Sequence, residues 1–184
     1  MRLYHTVEDR DNPDDIESNA PFICKRKNAW LGEGYYFWDT LIENAHWWGQ
    51  SQYKGNYVIV EYHCDSYTTS GKCFDLHGNM EHLRDFNATV EFLKSKGLQT
   101  TTVAKVIEYL KGKTDFASVF EAIRAYGHFS KSNNNITSIP FETEKKHYLE
   151  LTPAVQICLF RKNSLNLSTG KIIHPSHYNP DYLA

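Results

Sequence analysis

The chain has 184 residues, 41% hydrophobic, 14% aromatic and 23% charged, the make-up of an ordinary folded domain with a real core. Its 20 Lys and Arg against 22 Asp and Glu give a formal charge of −2, so no overall positive field draws in a phosphate polymer, and nucleic acid is not indicated as a partner. The cysteines at 24, 64, 73 and 158 lack close paired spacing and suit free thiols in a reducing, cytoplasmic setting; no apolar stretch has the length of a signal core or of a ~20-residue membrane span.

Leu3 to Val7 reads as a first strand, ending in the charged stretch Glu8 to Asp15, where Asn12-Pro13-Asp14-Asp15 signals a turn and a loop continuing to Trp30. In Leu31-Gly32-Glu33-Gly34-Tyr35-Tyr36-Phe37-Trp38 the glycines permit a tight turn, and the rings that follow favour an extended strand. Asp39 or Thr40 can cap a helix through Leu41, Ala45 and Trp48, closed by Gly49. Tyr57 to His63, rich in β-branched and aromatic residues, is the clearest strand and predicts a central place in a sheet. Lys72 to Leu76 is a second extended piece, and Asn79 starts a helix that Gly97 stops. Thr100 to Thr102 offer caps for a helix over Val103 to Leu110, and Thr114 or Asp115 for one over Phe116 to Tyr126. The polar run Lys131 to Asn135 returns the chain to strand-like segments at Ile136 to Phe141, His147 to Leu151 and Val155 to Phe160. Strands, then helices, then strands predict an α+β domain over residues 1–184.

Several constellations of reactive residues carry little. His63, Cys64, Cys73, His77 and His82 are all competent zinc ligands, but the two thiols are too widely spaced for a structural site, and His63 and Cys64 point to opposite faces of a strand. No Ser or Cys lies in a nucleophile elbow, and Gly32-Glu33-Gly34 lacks the third glycine and the following helix of a dinucleotide fingerprint.

The pairing of Tyr4-His5-Thr6 with Gly32-Glu33-Gly34-Tyr35-Tyr36-Phe37 is more specific. GEGYYFWDTLIENAHWW resembles the Gly-x-Gly-x-Tyr-Phe stretch and following helix of the poly(ADP-ribose) polymerase type of ADP-ribosyltransferase, whose site holds a His-Tyr-Glu triad. The resemblance implies His5 as partner of an NAD ribose hydroxyl and Tyr36 as the ring stacked on nicotinamide, with Gly34 and Tyr35 beside them. It implies Thr6, in place of the family's glycine, as the residue whose main chain meets the nicotinamide carboxamide, and Asn44, in place of a serine, as a second partner of that group. Val155-Gln156-Ile157-Cys158-Leu159-Phe160-Arg161 fits the late strand, with Gln156 where the family type has Glu, as in a group of uncharacterised bacterial relatives. The implied fold is two small sheets forming a cleft, with a helical insertion at about Asn79 to Gly127; the match covers three short patches and leaves the helical middle unmatched.

Such a site must hold the nicotinamide ring flat, fix the ribose hydroxyls and offer an electron-rich group to an oxocarbenium-like transition state. The expectation is therefore mono-ADP-ribosyl transfer from NAD to an unknown macromolecular acceptor, protein rather than nucleic acid, in a toxin or effector role that follows from the resemblance alone. Gln156 stabilises positive charge less than a carboxylate would, which makes Glu150 or Glu142 a candidate helper and keeps two alternatives open. One is an NAD glycohydrolase; the other is an inactive module that binds NAD or ADP-ribose.

Overall fold

A computed structural model describes residues 1–67, 69–98, 101–127, 138–143 and 147–179. The order is β1 (Arg2–Glu8), α1 (Pro13–Asn19), β2 (Tyr35–Asp39), α2 (Ile42–Tyr53), β3 (Tyr57–His63), β4 (Cys73–Asp75), α3 (Met80–Ser95), α4 (Val103–Lys113), α5 (Phe116–Val119), β5 (Ala122–Tyr126), β6 (Ser138–Pro140), β7 (Tyr148–Glu150), β8 (Val155–Leu159) and β9 (Lys171–His174). Seven strands form one mixed sheet in the order β4-β5-β8-β2-β1-β3-β9, and β6 pairs with β7 in a small second sheet. The α+β class holds. The cleft is not walled by two small sheets; it lies within the large one.

Side chains alternate across this sheet, and each face has its own cover. On one face Tyr4, Trp38 and Ile59 meet Ala45, Trp47 and Trp48 of α2, while further along the same face Phe74, Ile123 and Cys158 meet Phe86, Val106, Ile107 and Phe116 of α3 to α5. On the other face Leu3, Phe37, Val58, Val60, Ile157 and Leu159 pack with Ile16, Tyr67 and Leu165. Phe37, Ile59, Ile157 and Leu159 have 1% exposure or less, and each such side chain contributes about 1.5–3 kcal/mol of transfer free energy.

Local chemistry explains where the elements differ from expectation. Asn12-Pro13-Asp14-Asp15 opens α1 instead of a loop, because Pro fits the first helical turn and the two acids complement its dipole; buried Ile16 pins it. Gly49 does not end α2. A Cβ there would lie 2.3 Å from the Tyr57 ring, so the glycine permits helix-strand contact, and Lys54 and Gly55, both at positive φ, end the helix. Neither Asp39 nor Thr40 caps α2, whose N-cap is Leu41, whereas Asn79 and Thr102 cap α3 and α4 as expected. The helix expected over Phe116 to Tyr126 stops at Val119, and Ala122 to Tyr126 is a strand between β4 and β8. Long-range pairing overrides the local spacing there. The helical middle is thus no insertion: α3 to α5 form the crossover that parallel neighbours β4 and β5 require. Strand β9 had no signal in the sequence reading, and the Thr100 cap, the Lys131 to Asn135 loop and Ile136 lie outside the described residues.

Arg124 of β5 ties the sheet across its middle. Its Nε donates to Asp39 Oδ2 at 2.7 Å and its Nη1 to the Asp75 carboxylate at 3.1 and 3.2 Å, while the Tyr67 hydroxyl donates to Asp39 Oδ2 at 2.6 Å. Asp39 and Asp75 are 4% and 5% exposed, so one guanidinium serves two buried carboxylates. Burial raises the pKa of Asp75, but the N–H groups of Gly78 and His77 together with Arg124 outweigh it and hold the carboxyl below its ordinary value. Arg124→Met should leave both carboxylates without their cation and cost about 3–5 kcal/mol, read as a lower urea midpoint at pH 7. A midpoint within experimental error of the parent would show that the pair adds nothing to stability.

Candidate functional site

β1 pairs with β3 along its whole length, from Arg2↔His63 to Glu8↔Tyr57, but with β2 only at Leu3↔Asp39 and Tyr4↔Trp38. β2 meanwhile follows β8 from Trp38↔Gln156 to Tyr35↔Leu159. The sheet therefore forks beyond Tyr4 and Trp38, and a cleft of about 530 Å³ opens there, lined by His5, Thr6, Tyr36, Trp38 and Gln156 among others.

A fork exposes main-chain groups that a closed ladder would pair. His5 meets this need at Tyr36: its Nδ1 lies 2.8 Å from the Tyr36 carbonyl, while the Phe22 N–H donates to its Nε2 at 3.1 Å. Because Nε2 accepts, the ring is the neutral tautomer that donates from Nδ1. Burial lowers the His5 pKa from 6.5 to about 4, against the raising effect of the Tyr36 bond. Both ring nitrogens are held by backbone, so a ribose hydroxyl, the partner expected from the sequence, reaches Nε2 only in place of the Phe22 N–H.

Thr6 brings its main chain instead. The Thr40 N–H donates to the Arg2 carbonyl on the β2 side of β1, so by the alternation of an antiparallel ladder the main-chain groups of Tyr4 and Thr6 face that side too. At Thr6 the neighbour has left, and its N–H and C=O face the fork. The Thr6 hydroxyl is turned to the Ala45 carbonyl at 3.2 Å.

Tyr36 lends its ring to the cleft wall while its hydroxyl is fixed in the preceding turn, donating to Gly32 O at 2.7 Å and accepting from Leu31 N at 2.8 Å. Burial, with Cys158 nearby, pushes this phenol well above its ordinary pKa and keeps it neutral. Gln156 stands directly across from Trp38, is 7% exposed, and its Oε1 has no hydrogen-bond partner among the described residues. That is costly for a buried carbonyl oxygen and marks where a ligand donor would be welcome.

The other expected contacts lie elsewhere. Tyr35 packs on the opposite face of the sheet, beside the cluster that contains Phe37 and Tyr62. Gly34 is bridged to Cys24 through two main-chain bonds, and a Cβ on it would lie 2.4 Å from Cys158 Sγ and 2.7 Å from the Leu159 carbonyl, so its role is close packing of β2 on β8. Asn44 is buried and donates to the Pro153 carbonyl at 2.9 Å, fixing the approach to β8. Glu150 accepts from the Tyr126 hydroxyl. Of the zinc-competent residues, His82 accepts the Asp75 N–H through Nδ1 and His63 lies 3.3 Å from Glu61, and no group among the described residues converges for a metal ion.

The sequence reading missed much of the cleft. Trp48, Gln52 and Tyr53 of α2 and Trp30 of the β1–β2 loop line it, and Trp38 packs against both Trp47 and Trp48 at centroid distances of 5.9 and 6.0 Å. Helical spacing put Trp48 on the inward face of α2, but only the fork turns core rings into walls. At the rim Glu8 is paired with Arg10 at 2.6 Å and Asp15 accepts from Asn12 and Asn19, while Lys25 and Arg26 have no carboxylate partner among the described residues. Aromatic walls, an unpaired carboxamide oxygen and rim cations suit a flat ligand with an anionic tail.

Two expectations follow. A histidine whose folded pKa lies below its unfolded value contributes stability above pH 6.5 that is lost as pH falls towards the folded value, here about 4. His5 alone should make the protein about 3 kcal/mol less stable at pH 4 than at pH 7, and this share should vanish in His5→Asn when urea midpoints are compared at the two pH values. Gly34→Ala should cost about 1–3 kcal/mol by prising β2 from β8, since a main-chain carbonyl cannot step aside; an unshifted melting temperature would refute the packing role.

In comparisons with known proteins, no family model, no curated protein and no solved structure matches the chain.

Proposed function

We propose that the chain is an NAD-dependent mono-ADP-ribosyltransferase acting on a macromolecular acceptor, with the fork between β1 and β2 as its NAD cleft. The observation that carries this reading is the convergence of Thr6, Tyr36 and Gln156 on one cleft, from three strands far apart in sequence, with an orphaned Gln156 oxygen among them. The Thr6 main chain offers a donor and an acceptor to a nicotinamide carboxamide, the rings of Tyr36 and Trp48 offer flat walls, and Lys25 and Arg26 at the rim suit a diphosphate. The Gln156 oxygen is then the acceptor for a ribose hydroxyl. His5 is a positioning residue in this scheme, acting through the Tyr36 carbonyl, and Asn44 positions the Pro153 turn.

Breaking the bond between ribose and nicotinamide builds positive charge on the sugar, so a carboxylate in place of Gln156 should help the transition state more than the ground state. Gln156→Glu should raise NAD consumption about tenfold, which needs only ~1.4 kcal/mol. Burial opposes this by raising the pKa of the new carboxyl, but the developing sugar cation is itself the missing partner. Incubation with labelled NAD and cell extract checks the proposal: label should appear on macromolecules, more strongly with the variant. Label released only as free ADP-ribose would indicate a glycohydrolase.

One observation favours a second reading, a module that binds NAD or ADP-ribose without turnover. Gln156 is neutral, and the cleft-lining carboxylates Glu8 and Asp15 are already engaged. A melting temperature raised by NAD, with no nicotinamide release from either parent or Gln156→Glu, would select it.

A further inference from the structure

We infer that the rings of His46, Tyr57 and His174 form an acid-sensitive latch, which holds residues 174–179 on the edge of the sheet and releases them when the two imidazoles are protonated. His46 projects from α2, Tyr57 opens β3 and His174 closes β9, so three elements meet in one group of rings. His174 lies on Tyr57 with centroids 4.7 Å and planes 26° apart, and His46 meets His174 edge-on at 5.0 Å. His46 Nδ1 lies 2.8 Å from the Tyr57 hydroxyl. Tyr57 is buried, but both histidines are only half-buried, so protons reach them from solvent without unfolding.

Two imidazolium rings at this spacing repel each other, and burial adds to the cost of each charge. Glu43 of α2 favours a charge on His46, while Asp9 after β1 and the face of the Tyr57 ring favour one on His174. Burial opposes both, and at His174 the positive charges of His46 and His177 oppose it further; the balance holds both rings below the ordinary 6.5. A histidine of lowered folded pKa contributes stability above its unfolded value and loses it as pH falls, so the latch is closed at neutral pH and loosens below 6.5. His174 is the half that moves. His46 is fixed by its helix and by Tyr57, and buried Ile172 and Ile173 keep the rest of β9 in place, whereas the chain beyond His174 runs through exposed Ser176 and His177.

The released segment touches the cleft rim. The Tyr178 hydroxyl, with His177 against its ring and Asp11 nearby, donates to the Asp9 carboxylate at 3.0 and 3.2 Å, and Asp9 stands between the cleft-lining Glu8 and Arg10. Asn179 donates to the Ile172 carbonyl. Opening the latch therefore frees a rim residue that the closed latch holds, and this is independent of the NAD reading.

Hydrogen–deuterium exchange on the full chain, corrected for intrinsic rates, tests the latch by comparing residues 174–179 with β1 and β3. From about pH 7.5 to about pH 5, exchange in 174–179 should rise roughly tenfold while β1 and β3 stay protected. His46→Gln removes one cation and keeps a polar partner for Tyr57, so the rise should shrink to roughly threefold or less. In the parent, NMR titration should place both imidazoles below 6.5, a measurement that needs no variant to fold. In His46→Gln the His174 pKa should move up. Exchange in 174–179 that does not change with pH, a rise shared equally by β1 and β3, a rise undiminished in folded His46→Gln, or either imidazole titrating at or above 6.5 in the parent would each overturn the latch.

Discussion

A strand that leaves its neighbour in mid-sheet must find new partners for its main chain, and the geometry here follows from how that is met at one carbonyl. The Tyr36 carbonyl points to where β1 would have run; the His5 imidazole replaces the missing strand and passes the contact on to the Phe22 N–H. A neutral imidazole, with one donor and one acceptor on opposite sides of the ring, can join an orphan carbonyl to an orphan N–H. Burial keeps it neutral, since a second proton would turn the acceptor into a donor facing another donor. The β1–β2 loop that roofs the cleft is thereby stapled to the floor at the point where the sheet opens.

The other end of the fork is held by charge. Asp39, last residue of β2 and still paired with Leu3, is gripped by Arg124 and Tyr67, and the next residue, Thr40, stands at a φ of 60° that β-branched residues seldom adopt. Its N–H reaches the Arg2 carbonyl and its hydroxyl the Asp39 carboxylate, so the turn into α2 is over-determined. Strain of this kind persists only where surrounding contacts outweigh it. A rigid vertex and a bridged opening make the cleft a built feature and not a packing fault.

Much of this was legible in the sequence, and the exceptions share a cause. Tyr57 to His63 announced itself because β-branched and aromatic residues fill both sides of a central strand, and Asn79 announced its helix by the chemistry of an N-cap. His5, Tyr36 and Gln156 were brought together by the family resemblance of their short motifs, and all three line the one cleft. Ala122 to Tyr126 could not be read as a strand, since its neighbours in space are Phe74 and Cys158, far off in the chain, while its neighbours in sequence suggested a helix. Gly34 and Gly49 misled in the same way: each glycine answers a distant atom, Cys158 Sγ in one case and the Tyr57 ring in the other. The engagement of both His5 nitrogens was invisible because Phe22 reaches it only through the tertiary course of the loop.

The place of β8 in the sheet order sets the time at which a site exists at all. β2 lies between β1 and β8, and its outer edge is covered only when Phe37 meets Ile157 and Trp38 meets Gln156. During synthesis the N-terminal part can form β1, β3 and α2 early, but β2 then waits with a bare edge while the whole helical crossover is made. Contacts of such separation slow folding, and a waiting edge invites pairing with other chains. In chain order the cleft is therefore complete only once β8 is made, and a chain that lacks it has a bare β2 edge where the finished one has a pocket.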